Sequence, residues 1–297
     1  MKLCRFEGNR LGRVDGDIVT DVTHCLEDLP RQSWPLPRGD LLIAALPKLR
    51  ETLERAGGTT MPVDEIAYQS PVANPGTIFG APLNYRDHID EANADPTLNQ
   101  GKTVPAIVEL GLFLKATSSL CGPGEGITHG FPGVRVDHEV EVVAVIGKGG
   151  RNIPAASALE HVAGYCIVND VSEREFQIER AGQWIKGKSY DTFGPTGPWL
   201  VTADEVPNPQ KLKMWLDLND ERVQDGTTAT MIFNVAHIVY YVSQFMTLMP
   251  GDLITTGTPP GVGMGMKPQR YLKPGDTMRL GIEGLGEQFQ KVVRDKA

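Results

Sequence analysis

Three carboxylates recur at alternate positions in the stretch VDHEVEVVAVIGKGG, residues 136–150: Asp137, Glu139 and Glu141. In an extended strand successive side chains point to opposite faces, so all three would share one face, about 6.5–7 Å apart along the chain. Like charges so placed repel unless a cation lies among them. Hard divalent cations take carboxylate oxygens, and Glu139 and Glu141 have a spacing that one ion can bridge. A third acid stands in GYCIVNDVSEREFQ, residues 164–177, where an apolar strand ends in Asn169-Asp170. Asp170 would project from that strand end, a common place for functional groups. A helix starting near Val171 would align Asp170, Arg174 and Gln177 at i, i+4 and i+7. His138 falls on the opposite strand face and is not a ligand candidate. Plainer readings of the same residues stay open on spacing alone. An E-x-E pair also suits a solvated strand face, Asp170 a helix N-cap, and Arg174 a surface ion pair.

The elements that must position these groups are mainly strands. Residues 3–22 alternate apolar and polar around Gly-containing turns, which predicts a small antiparallel meander. LLIAALPKLRETLERAG, starting at Leu41, has a helical pattern that stops at Gly57-Gly58. The connector-like YQSPVANPGT, 68–77, places a boundary near residue 72, so that 1–72 form an accessory unit and 73–297 the main domain. In the main domain IFGAP, EVEVVAVIGK, GYCIVNDV, KMWLDLND, DLITTGTP and TMRLGI read as strands. ASALEHVA, SEREFQIERAGQ and VAHIVYYVSQFMTL read as helices. Residues 92–105, ANADPTLNQGKTVP, have the composition of a linker or a mobile lid.

Composition narrows the function. The 297 residues suffice for one large domain, with or without a small partner. Gly 33 and Pro 22 suit a loop-rich chain of short strands. A net charge of −8 disfavours nucleic acid or an anionic membrane as the main partner. A small anionic substrate would then need a local cation or metal. Cys4, Cys25, Cys121 and Cys166 are scattered without metal or disulfide-framework spacing. With no long apolar run, the expected location is the cytoplasm.

Several ordered motifs carry a resemblance to a known family. They are N-Y-x-x-H-x-x-E at 84–91, E-x-E at 139–141, N-D-V-S-x-R at 169–174, G-K-S at 187–189 and T-G-T-P-x-G-V-G at 256–263. Over about residues 72–297 the chain resembles the fumarylacetoacetate hydrolase family. That resemblance implies a mixed, β-rich α+β fold with a β-roll core beside the small N-terminal unit, and a homodimer. It also implies Mg²⁺ or Mn²⁺ held by Glu139, Glu141 and Asp170, leaving Asp137 outside the ligand trio as a surface or supporting residue.

Members of the family mostly cleave a carbon-carbon bond in 2,4-dioxo acids, chemistry that needs a metal to stabilise an enolate and a base to activate water. His88 and Glu91, at i and i+3, fit as base and orienting carboxylate. Lys188 is expected as the catalytic counter-charge, with Lys186 a surface residue. Arg174, Gln177, Tyr190 and Thr258 are expected to bind substrate. Within the family, segments such as KATSSLCGPGEGI look most like hydrolases of 2,4-dioxo-3-deoxy-L-rhamnonate or L-fuconate, which yield pyruvate and a hydroxy acid such as L-lactate. An acylpyruvate or fumarylpyruvate hydrolase, an oxaloacetate-type decarboxylase and a ureidoglycolate-type lyase are the alternatives.

Overall fold

The computed structural model describes residues 1–87, 111–129, 135–180 and 183–294. Its centre is Val140–Ile146, VEVVAVI, in which every residue is buried. Such a run, rich in β-branched residues, suits a strand covered on both faces. Val142, Ala144 and Ile146 point into one core with Met214, Leu216, Met278 and Leu280. Val143 and Val145 point into the other, with Cys166, Val168 and the helix residues Ile43, Leu46, Leu49 and Leu53.

Around this strand runs a mixed sheet in the order Thr60–Pro62, Ile18–Asp21, Arg10–Asp15, Lys2–Phe6, Gly194–Thr202, Val162–Asn169, Val140–Ile146, Leu253–Thr255, Ile78–Gly80 and Phe113–Lys115. A second sheet orders Glu221–Thr227, Lys213–Leu218, Thr277–Ile282, Gly286–Arg294 and Ile127–His129. The N-terminal strands extend the main sheet, because Lys2 and Leu3 pair with Val201 and Leu200. The helix Leu41–Arg55 covers one face of that sheet; Asp40 caps it by accepting from Ile43 N at 3.1 Å. The helix Val235–Phe245 packs on the other face, capped in the same way by Asn234. The fold is sheet-rich α+β, as the sequence predicts.

Two local expectations are corrected. Residues 171–177 do not continue as a helix from Val171. Ser172–Glu173 instead pair antiparallel with Val136–Asp137, and only then does a single π-helical turn form at Glu175–Glu179. The Glu173 carboxylate holds this geometry, accepting from Arg135 N at 2.9 Å and Phe176 N at 2.6 Å. Nor do the three acids share one strand. The ladder breaks at His138-Glu139, so Asp137 belongs to the short pair and Glu141 to the central strand.

Candidate active site

The register of the central strands brings the acids together. Val140 lies opposite Asn169 and Glu141 opposite Val168, and Asp170 N donates to Glu139 O at 2.8 Å. Asn169 fixes the turn from the other side, its Oδ1 accepting from Glu139 N at 2.9 Å. On the face that lower down carries Val143, Cys166 and Val168, the core gives way to carboxylates. One oxygen each from Glu139, Glu141 and Asp170 falls within 4.8 Å of the others, and all three residues are buried.

Among the described residues, three cations meet this cluster. Lys188 Nζ, at the end of the short helix Ile185–Lys188, lies 2.7 Å from Glu139 Oε2 and 2.8 Å from Asp170 Oδ2. Burial alone would discharge it, but Asp170 and Glu139 outweigh that and hold its pKa above the ordinary lysine value. Lys115, which the sequence reading missed, comes from the edge strand Phe113–Lys115; its Nζ is 2.6 Å from Asp170 Oδ1. The approach is off the line of a hydrogen bond, so Asp170 Oδ1 remains a buried acceptor without an aligned donor. Burial pulls the pKa of Lys115 down despite the carboxylate, and neighbouring Lys188 adds to the fall. Arg174 Nη1 lies 2.7 Å from Glu139 Oε1 and 3.0 Å from Gln177 Oε1. Arg174 and Gln177 thus meet as expected, although not on a regular helix.

Glu141 is the outlier among the acids. Burial first, then the like charges of Asp170 and Glu139, push its pKa well above the carboxylate range, with Lys188 opposing. Its Oε2 accepts from Gly257 N at 2.8 Å. Gly257 has φ +92°, and a Cβ there would lie 2.8 Å from Asn84 Cβ. Asn84, from the N-Y motif, is itself fully buried, donating to Phe233 O and Thr256 O and accepting from Phe233 N. The first and last motifs are therefore tied to each other beside the acids.

The remaining expected residues divide. Thr258 lies next to this turn, but its hydroxyl donates to Val140 O at 2.9 Å and accepts from Gln224 Nε2 at 2.8 Å, so it braces the central strand. Tyr190 packs on Phe193, with ring centroids 5.1 Å apart, and on Phe176 at 6.4 Å, beside the turn that carries Gln177. Lys186 Nζ is bound to Arg180 O at 2.8 Å at the surface. His88 and Glu91 lie outside the described residues. Asp137 is fully buried, which excludes the surface alternative and fits the supporting one, and it accepts from Arg174 Nε at 2.8 Å.

Three oxygen donors around a shared centre, one carrying an unaligned buried lone pair and one with a pKa raised by burial and then by its acidic neighbours, form a set that suits a hard divalent ion. Among the described residues no soft ligand intrudes: all four cysteines are free and buried, and none is in the cluster.

Residues 77–293 match the family model for the C-terminal domain of fumarylacetoacetate (FAA) hydrolase. The chain belongs to the fumarylacetoacetate hydrolase family. A Burkholderia ambifaria (strain MC40-6) protein, named only as a hydrolase, is 53% identical over 298 residues, spanning 98% of each chain. Among solved structures, maleylpyruvate hydrolase from Sphingobium sp. SYK-6, in complex with manganese(II) and pyruvate, is 33% identical with TM-score 0.80 over 100% of both chains. The 5-carboxymethyl-2-hydroxymuconate delta-isomerase of Mycobacterium smegmatis is 27% identical with TM-score 0.74, again over 100% of both. Proteins named as a hydrolase and as an isomerase thus share this fold. No helix among the described residues is long and apolar enough to cross a membrane.

Proposed function

We propose that the protein is a divalent-metal-dependent hydrolase of acylpyruvate-type 2,4-dioxo acids, releasing pyruvate and a carboxylic acid. The observation that carries this is the convergence of the Glu139, Glu141 and Asp170 carboxylates with the buried Lys188 and Arg174 cations. Glu139, Glu141 and Asp170 would hold Mg²⁺ or Mn²⁺, and the ion supplies a positive centre for the carboxylate and 2-oxo oxygen of the substrate. The manganese and pyruvate complex of the Sphingobium relative supports this choice of head group.

The protein's own groups account for the rest. The Arg174 guanidinium is planted on Glu139 and Gln177 by Nη1, which leaves Nη2, a buried donor with no hydrogen-bond partner among the described residues, for a substrate oxygen. Lys188, held charged by Asp170 and Glu139, stabilises the negative charge that develops as the bond breaks. His88, oriented by Glu91 in the motif whose first residue Asn84 anchors, takes a proton from water, and the oxygen adds to the C4 carbonyl. The C3–C4 bond then breaks. Its electron pair passes to C3 and the 2-oxo group as an enolate, C3 takes up the proton that His88 removed from water to give pyruvate, and C4 leaves as the carboxylic acid.

A sugar-derived 2,4-dioxo-3-deoxy acid is the finer reading suggested by sequence, and a panel decides it. Mn²⁺-loaded protein is assayed with acetylpyruvate, fumarylpyruvate, a 2,4-dioxo-3-deoxy sugar acid and oxaloacetate. The proposal expects equimolar pyruvate and acid from at least one dioxo acid. Carbon dioxide from oxaloacetate without dioxo-acid cleavage would instead make the protein a decarboxylase. A hydroxymuconate is assayed beside the panel, and its conversion without carbon-carbon cleavage would make the protein an isomerase.

A further inference from the structure

Two features are not accounted for by that reading: the third acid of the 137–141 stretch, Asp137, and the second half of the 256–263 motif, Gly261-Val262-Gly263. The structure joins them. Asp137 is completely buried, and its two oxygens receive four donors. Oδ1 accepts from Gly263 N at 2.7 Å and His138 N at 2.9 Å; Oδ2 accepts from Met264 N at 3.0 Å and Arg174 Nε at 2.8 Å. The loop is pressed close to make this possible, since a Cβ at Gly263 would lie 1.9 Å from Arg270 O and 2.9 Å from Asp137 Oδ1. On the far side of the same guanidinium, Nη1 reaches Glu139 and Gln177 while Nη2 is left without a hydrogen-bond partner among the described residues.

We propose that Asp137 is a positioning residue, fixing the Arg174 guanidinium so that its free Nη2 is presented to the carboxylate or oxo oxygen of a bound 2-oxo acid. The Gly263–Met264 loop acts through it by holding the Asp137 carboxylate in place. A guanidinium fork placed from two sides loses little freedom when it binds, whereas one held only through Nη1, by Glu139 and Gln177, rotates about that nitrogen. An asparagine cannot replace Asp137 here. All four neighbours are donors, so the amide nitrogen must face at least one of them. This inference rests on reading the triad as a divalent-metal and 2-oxo-acid site.

The test is a double-mutant cycle on the full chain, with Mn²⁺ affinity and then pyruvate affinity of the Mn²⁺-loaded protein measured by calorimetry. Asp137→Asn and Arg174→Ala each weaken pyruvate binding tenfold or more. In the double variant the loss is no greater than in Arg174→Ala alone. Asp137→Glu keeps the charge and both acceptors but shifts them by one methylene; it serves where Asp137→Asn does not fold, and its pyruvate affinity also falls only when Arg174 is present. Unchanged pyruvate affinity in the folded Asp137 variant, or losses that add independently of Arg174, overturns the inference. Wild-type protein that binds neither Mn²⁺ nor pyruvate overturns the underlying site assignment instead, so the two failures are distinct.

Discussion

Lys115 Nζ lies 2.6 Å from Asp170 Oδ1, with the lysine side chain 1% and the aspartate 0% exposed. The lysine also donates to the carbonyls of Val171 and Lys188, so it binds the edge strand Phe113–Lys115 to both chain segments that carry the site. Breaking one half of a buried pair costs about 3–5 kcal/mol when the other charge is left uncompensated; Asp170 keeps Lys188 at 2.8 Å, so the cost here lies below that range. Lys115→Met, which also leaves the Val171 and Lys188 carbonyls without this donor, is expected to lose about 1–3 kcal/mol in urea unfolding without metal. Saturating Mn²⁺ should recover part of the loss, because the ion replaces the missing positive charge beside Asp170.

Metal binding should release a proton. The raised pKa of Glu141 means that the metal-free folded protein holds a proton there at pH values where an unfolded chain does not. Between the ordinary glutamate pKa and the raised one, the folded state binds more protons, so this group's contribution to metal-free stability falls as pH rises. A bound cation requires the ionised form, and its affinity falls as pH is lowered through the raised pKa. The Mn²⁺-induced rise in Tm should accordingly grow with pH, and calorimetry in buffers of different ionisation enthalpy should show proton release.

Gly257→Ala tests the link between the first and last motifs. The left-handed backbone, φ +92°, costs a non-glycine residue about 1–3 kcal/mol, and the new methyl meets Asn84. The N–H that orients Glu141 must shift. A loss of Mn²⁺ affinity of about tenfold or more, equivalent to about 1.4 kcal/mol, is expected by titration.

Thr258→Val separates bracing from substrate contact. The hydroxyl bridges Val140 O and Gln224, so its removal should lower stability by about 1–3 kcal/mol while leaving KM nearly unchanged. An increase in KM with unchanged stability would show that the hydroxyl contacts substrate.

Much of this site is legible in the sequence, for reasons that can be named. Glu139 and Glu141 announce themselves by alternation within an apolar strand, and Asp170 by ending another. Neither pattern alone separates a buried cluster from a solvated edge; burial excludes the edge, and burial depends on strands far apart in sequence. Arg174 and Gln177 meet at 3.0 Å although the helix read from Val171 does not form, because a pair spaced by three residues converges on a π-helical turn as well. Lys115 escaped because one lysine in GLFLKATSSL carries no partner nearby in the chain; its contacts lie 55 and 73 residues away in Asp170 and Lys188. The available signal was its position two residues after Phe113 in an otherwise apolar strand. Asp137 was misplaced because alternation does not reveal the break at His138-Glu139. The nine-residue strand Gly194–Thr202 was hidden by Pro195, Pro198 and its glycines, residues that normally interrupt strands.

The central claim is that turnover runs through a cation held by Glu139, Glu141 and Asp170. Its most direct test is pyruvate formation from the best dioxo acid of the panel by protein stripped with a chelator, before and after adding Mn²⁺ or Mg²⁺, beside Glu139→Ala treated identically. The account predicts no turnover when stripped, full recovery on adding metal, and none from Glu139→Ala at any metal concentration that saturates the wild type. Turnover by the stripped protein, or by Glu139→Ala, would contradict it.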